Sequence, residues 1–392
     1  MARDLNRELL KLAAFSDDEI EAFLPQWLET AERVKIDDDT LIYALDTYIP
    51  QNWDIKYLGV RKMMGAYLRE LNDIVHTPEM KAKGVKILYG ILPAIANYYY
   101  AAKNAGGEGI FIGFPDLLMV NTLNSFFHGA APFLNVAEQY GFTYGCRHCP
   151  LNKMRLGAYV TGTIAAPDLI WSWGFNCDEG PKTDEMIQGI TGKKWKYHVS
   201  RVPHDSTFNE EEDMMETRLK FMSDQMKLGV KAIEEATGFT ITDEHLIQAN
   251  KDVGRLGFKC GMLTNLCTNA DPPVLGGETL TMLQQVLTVP FNTGTKYIEE
   301  AVDILTKEIR AAIKAGEGVM PKGTPRVGFY NLPFCIPWVG KYFRDNGVIT
   351  AFSSALTHSK KEMSPTKYPD DPWMSAAESW ARNGMCMNLN GE

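Results

Sequence analysis

Val85-Lys86-Ile87-Leu88-Tyr89-Gly90 is where the chain changes its period. Upstream, apolar residues recur at helical spacing. Here they run together and stop at a glycine, as in a short buried strand. The pattern then alternates. Residues 93–103 are predicted as a helix and Gly109-Ile110-Phe111-Ile112-Gly113 as a second strand. Helical stretches at 118–127 and 134–140 precede a third strand, Pro167-Asp168-Leu169-Ile170-Trp171-Ser172-Trp173, and Lys196-Tyr197-His198-Val199-Ser200 is a fourth. Strands separated by helices rather than tight turns indicate a parallel α/β domain, which we place at 84–208.

Working outward, residues 1–83 read as a helical region. Ser16-Asp17-Asp18-Glu19 supplies an N-cap with acids in the first turn, ahead of Ile20, Phe23, Leu24, Trp27 and Leu28. The segment from Tyr57 to Ile74 repeats the same spacing, and the stretch around Pro78 reads as a linker. On the other side, 209–321 is helical almost throughout, punctuated by Gly238, Pro272-Pro273 and Gly276-Gly277, and forms a bridge. At Pro325 the strand–helix pattern returns: Arg326-Val327-Gly328-Phe329-Tyr330, a helix over 337–346, then Val348-Ile349-Thr350-Ala351-Phe352. This second α/β domain, 322–392, shows two clear strands where a doubly wound sheet has four or more, and is expected to be cut short. The fold class is therefore α/β: two doubly wound, Rossmann-like parallel-sheet domains linked by a helical segment, with an N-terminal helical extension.

Composition narrows the function. Of the 392 residues 45% are hydrophobic and 23% charged, which excludes a disordered or low-complexity chain. The net charge of -9, with no Lys/Arg block, argues against nucleic acid as a partner. No apolar run reaches the length of a membrane span, and the N-terminus lacks the apolar core of a secretory signal. A cytoplasmic location is the expectation, and no membrane is expected as a partner.

Seven cysteines form no regular framework, so they are expected to be free, metal-binding or catalytic rather than disulfide-bonded. The strongest local signal is Cys146-Arg147-His148-Cys149-Pro150, with Cys177-Asp178 following the third strand. Cys149 precedes the helical stretch 151–156, and a helix N-terminus stabilises a thiolate. Cys177 lies just past the carboxyl end of a buried strand, the ligand-binding edge of such sheets. Three readings fit this spacing: ligands of one iron–sulfur cluster, unrelated buried thiols beside a Cys-x-x-Cys redox pair, or a structural zinc. Cys260 and Cys267 fall seven apart on a predicted helix and read as inert core thiols. Cys335 follows a predicted strand at Asn331-Leu332-Pro333-Phe334 and is a weaker site candidate; Cys386 lies near the end. His148 is the one histidine inside a cysteine constellation, whereas His128 and His204 fall in turns. No Walker A, Gly-x-Ser-x-Gly or His-Glu-x-x-His motif occurs.

Taken in order, Tyr140-Gly141-Phe142, Cys149, Lys153 and Gly157, then Ala166-Pro167-Asp168-Leu169-Ile170 with Asn176-Cys177-Asp178, resemble the two cluster-ligand motifs of the 2-hydroxyacyl-CoA dehydratase and benzoyl-CoA reductase subunits. Pro272-Pro273, Gly276, Arg326-Val327-Gly328 and Asp345-Asn346-Gly347-Val348 resemble the later parts of the same family, so the likeness covers about 84–392 and is nearest the larger subunit type. It implies Cys149 and Cys177 as ligands of a [4Fe–4S] cluster, with Cys146 or Cys335 as a weaker third. His148 becomes a candidate catalytic residue for proton transfer, or a support for the ligand beside it. The family's third ligand lies in a strand past the stretch that Cys386 resembles, so it is expected beyond Glu392. The extra cysteines Cys146, Cys335 and Cys386 also resemble relatives holding a double-cubane [8Fe–9S] cluster.

The activity implied is elimination of water from a 2-hydroxyacyl-CoA. A β-proton of low acidity and a poor α-hydroxyl leaving group are both activated when the thioester takes one electron and becomes a ketyl. The electron comes from an ATP-dependent iron–sulfur activator, and the partners are a second homologous subunit or a second copy of the chain, with an acyl-CoA as substrate. Alternatives are a benzoyl-CoA reductase-like or double-cubane ATP-dependent reductase, and a cluster-less, non-catalytic partner subunit.

Overall fold

Four parallel strands build the sheet that positions the site: β1 (Lys86–Gly90), β2 (Ile110–Gly113), β3 (Leu169–Gly174) and β4 (Lys196–Arg201), in the order β2-β1-β3-β4. The structure is a computed structural model that describes residues 3–91, 95–143, 148–174, 179–201, 212–285, 289–329, 336–353 and 365–381. Each strand lies within about two residues of its sequence expectation. β2 is buried along its whole length and β1 along nearly all of it, which is why both read as unbroken apolar runs rather than alternating ones.

Helices make the crossovers that parallel pairing requires. Ala96–Gly106 joins β1 to β2, and Glu179–Thr191 joins β3 to β4. The helices Pro115–Thr122, Ala131–Gln139 and Pro150–Val160 fill the long return from β2 to β3. The chain thus runs from β1 outward to β2 and comes back past β1 to β3. Strand order reverses between β1 and β3, and a doubly wound sheet opens its ligand crevice at the carboxyl ends of such a pair.

Asp168 fixes that pair. Its backbone N–H donates to the Ile87 carbonyl at 2.8 Å, and its carboxylate accepts the Ile87 N–H at 2.8 Å. Lys81 approaches the same carboxylate at 3.6 Å and donates to the Ala166 carbonyl at 2.5 Å. The Pro-Asp signature ahead of β3 is therefore a register lock between the two central strands. On one face of the sheet Trp171 is fully buried, with Tyr98 and Tyr99 beside it and its Nε1 donating to Ser200 Oγ at 2.8 Å. Gly229, on the helix Glu212–Thr237, lies so close to that indole that a Cβ there would overlap the ring.

The helical N-terminal region forms as expected. Ser16 and Glu19 make a reciprocal capping box for the helix Asp17–Arg33. One expectation is corrected: the stretch around Pro78 is the helix Thr77–Ala82 rather than a linker. Pro78 sits in its first turn, where a missing N–H leaves no bond unmade. The helix Leu58–Val75 runs through the core and packs along Lys296–Ala315, with Gly59 against Leu305. Its Glu70 is buried and accepts the N–H groups of Asn292 at 2.7 Å and Thr293 at 3.2 Å. Burial and the neighbouring Asp73 carboxylate push the Glu70 pKa up.

Downstream, Asp243–Asn269 is one long helix that buries Cys260 and Cys267. Burial pushes the Cys260 thiol up to about 12, in keeping with an inert core thiol. A second sheet pairs β5 (Arg326–Phe329) with β6 (Ile349–Ser353) in parallel, through the helix Pro337–Asp345. A buried ion pair between Glu278 and Arg344 ties that helix to Gly277–Gln285. Both sheets are parallel and flanked by helices, as the sequence indicated; among the described residues the second has only two strands. No described helix is long and apolar enough to cross a membrane.

Asp168→Ala leaves the Ile87 N–H without its acceptor at the central strand pair. It should cost about 1–3 kcal/mol of unfolding free energy, read as a lower urea midpoint with an unchanged m-value.

Candidate functional site

Three helices begin at the carboxyl edge of the four-stranded sheet. Pro115–Thr122 starts just after β2, Glu179–Thr191 starts just after β3, and Pro150–Val160 joins them through side-chain and backbone contacts. Each helix start carries partial positive charge from its unpaired N–H groups. Cys149 and most of the buried charge described in this region lie on or beside these three starts.

Cys149 is the N-cap of the helix Pro150–Val160, with extended backbone, and Pro150 follows as the first helical residue. The thiol is partly buried and free. Burial is the largest influence on it and pushes its pKa up; the Glu179 and Asp116 carboxylates push the same way. The N–H groups of Leu151 and Asn152 act against them. Without a metal the neutral thiol is therefore favoured. A bound metal ion reverses that balance, because its own charge ionises the sulfur it coordinates. A half-buried sulfur facing backbone N–H groups suits a thiolate ligand of an iron–sulfur cluster, whose sulfurs are stabilised by such donors.

His148 is held on two sides. Its ring stacks on Phe142 with centroids 4.3 Å apart, and its Nδ1 lies 3.2 Å from Glu179 Oε1. Phe142 is itself buried against Ala137, Leu156 and Ile187. The same Glu179 oxygen accepts the backbone N–H of Cys149 at 2.5 Å. Lys153, one turn into the helix, pairs with Glu138 at 2.8 Å.

Beneath these residues lies a buried charge cluster. Arg155, on the helix Pro150–Val160, sits 3.4 Å from Asp116 and 3.3 Å from Asp184, all three side chains nearly without exposure. Arg155 also donates to the Gly180 carbonyl at 3.4 Å. One guanidinium thus joins the first turns of two helices, Pro115–Thr122 and Glu179–Thr191, to the middle of the third. Burial outweighs Arg155 in setting the Asp116 pKa, which rises from 3.8 to about 6. Burial also raises that of Asp184.

Of the residues that sequence reasoning singled out, His148 and Cys149 are described, adjacent and near the β3 edge. Cys146, Cys177 and Cys335 lie outside the described residues, as do His204 and Cys386. Among the described residues no three His, Cys, Asp or Glu side chains come together as a metal-binding group. Sequence reasoning missed Glu179, Asp116, Arg155 and Asp184. A signal for one of them was present: Asp116 stands three residues past a buried strand.

A parallel sheet with helix starts, a cysteine and buried charge gathered at its carboxyl edge defines an α/β protein of the doubly wound kind. Residues 111–392 match the family described as 2-hydroxyglutaryl-CoA dehydratase, D-component. The match spans well over half the chain and includes Cys149, His148 and the Pro167-Asp168 strand, and the chain belongs to the 2-hydroxyacyl-CoA dehydratase family. None of the curated proteins compared with the chain matches it.

Two outcomes follow for the buried charges. Arg155→Met strands two carboxylates in the interior and should cost about 3–5 kcal/mol, measured by denaturant unfolding. Asp116 binds its proton more tightly folded than unfolded, so its contribution to stability is full below pH 3.8 and is lost as pH rises through about 6. Asp116→Asn keeps the oxygen that accepts the Leu117 N–H and should flatten this part of the stability–pH curve.

Proposed function

We propose that the chain is the iron–sulfur subunit of a 2-hydroxyacyl-CoA dehydratase-type enzyme. It would eliminate water from a 2-hydroxyacyl-CoA by a radical route, after one-electron reduction by an ATP-dependent activator. The observation that carries the reading is Cys149: a free cysteine at a helix N-terminus, beside the helix that follows Cys177, within the region of the family match. Cys149 and Cys177 would hold the cluster, with Cys146 or Cys335 as further candidates. When bound, a [4Fe–4S] cluster supplies a one-electron carrier and a Lewis-acidic iron for an oxygen leaving group.

The chain's own groups supply the setting. The helix start at Cys149 offers N–H donors to the sulfur, and Phe142, buried against Leu156, stacks on the adjacent His148. By the strand-order rule, an acyl-CoA would enter between the carboxyl ends of β1 and β3. His148, fixed between Phe142 and Glu179, is oriented to hold or pass a proton at that edge. The family description, a D-component, fits a chain that works with a second, homologous subunit. The net charge of -9 gives no general attraction for an anionic CoA, so its phosphates would need a local basic patch.

The test is iron and acid-labile sulfide per chain, on protein purified without oxygen. About four irons per chain are expected, falling sharply in Cys149→Ala and in Cys177→Ala, together with dehydration of 2-hydroxyacyl-CoA substrates when activator and partner subunit are supplied. Twice that iron content would indicate the double-cubane reductase instead. A folded wild-type chain that takes up no iron would sink the cluster assignment and turn the reading toward a non-catalytic partner subunit.

A further inference from the structure

We infer that Glu179 is a positioning residue for Cys149: one carboxylate clasps the starts of two helices and so sets where the cysteine's backbone sits. The inference rests on the cluster reading above for its consequence, but the contact itself is independent of it.

Glu179 is the first residue of the helix Glu179–Thr191. An acidic side chain at that position ordinarily serves its own helix, by facing the helix's free N–H groups. Here the carboxylate reaches across instead. Its Oε1 accepts the N–H of Cys149, the N-cap of the other helix, at 2.5 Å, and lies 3.2 Å from His148 Nδ1. Two helix starts brought side by side repel, since each carries partial positive charge. A carboxylate between them removes that repulsion and adds a short, charge-assisted hydrogen bond. Glu179 is partly buried, with 29% side-chain exposure, so this bond is only partly screened.

Two further contacts show that the placement is built. Arg155 grips the same helix start one residue on, at the Gly180 carbonyl. Phe142 fixes the far side of His148, so the carboxylate meets a residue that cannot swing away. The clasp acts on the backbone of Cys149 and touches no metal. It matters because ligand distances in metal sites tolerate only about 0.2 Å of error, whereas an untied N-cap residue is free to fray.

The test separates reach from charge, using the full chain purified without oxygen. Glu179→Gln keeps the accepting oxygen at the same length and loses the charge. Glu179→Asp keeps the charge and falls one methylene short. Two readouts are taken on each: amide hydrogen exchange of peptides containing Cys149 in iron-free protein, and iron and sulfide per chain after reconstitution. Glu179→Asp should exchange the Cys149 amide about tenfold faster than wild type and hold less than half the wild-type iron. Glu179→Gln, which keeps the reach and loses only the charge assistance, should exchange less than about threefold faster than wild type and hold most of the wild-type iron. The inference is overturned if Glu179→Asp matches wild type in amide exchange, or matches an iron-loaded wild type in iron content. It is equally overturned if Glu179→Gln loses iron as Glu179→Asp does, since charge rather than position would then be the cause. A wild-type chain that takes up no iron overturns the cluster reading instead, and the exchange comparison still decides the clasp.

Discussion

Pairing of β1 with β3 is the constraint on which the rest of this structure depends. Parallel strands cannot be joined by a tight turn, so every connection must leave at the carboxyl edge and return at the amino edge through a helix. Asp168 closes the amino end of the central pair through two bonds with Ile87. With that end fixed, the carboxyl ends of β1 and β3 become the place where the chain diverges to opposite sides. The helices Pro115–Thr122 and Glu179–Thr191 then have to start there, and Arg155 and Glu179 bring the start of Pro150–Val160 to the same edge. The site is thus a consequence of strand order before it is a matter of particular side chains.

The electrostatics of that edge are balanced rather than one-sided. Three helix starts contribute partial positive charge, and Arg155 adds a full one at their base. Asp116, Asp184 and Glu179 set carboxylates against them, and burial raises the Asp116 pKa to about 6 in spite of Arg155. The same burial keeps the Cys149 thiol protonated while no metal is bound. Such a pocket costs stability as a bare protein, because desolvated charges are only partly compensated by each other.

Support comes from both flanks of the sheet. The helix Leu58–Val75, outside the family match, is almost wholly buried and carries Glu70 into the core, where it holds the segment around Asn292 and Thr293. The long helices after residue 212 cover the Trp171 face, where Gly229 permits a contact that any side chain would block. The first hundred residues therefore belong to the same packed unit as the matched region and are not an appendage to it.

The sequence by itself determined the fold class, because hydrophobic period and strand–helix alternation are local properties that burial imposes residue by residue. It placed the strands of both sheets, the Ser16 cap, the inert thiols Cys260 and Cys267, and a cysteine poised at a helix start. It misread the Pro78 stretch, where one proline looked like a break and is in fact tolerated in the first turn of a helix. Only the tertiary structure decided what surrounds Cys149. Glu179 stands 30 residues from Cys149, and Asp116 stands 39 from Arg155. Nothing in local spacing marks such pairs, since they meet only once the order β2-β1-β3-β4 has folded three helix starts to one edge.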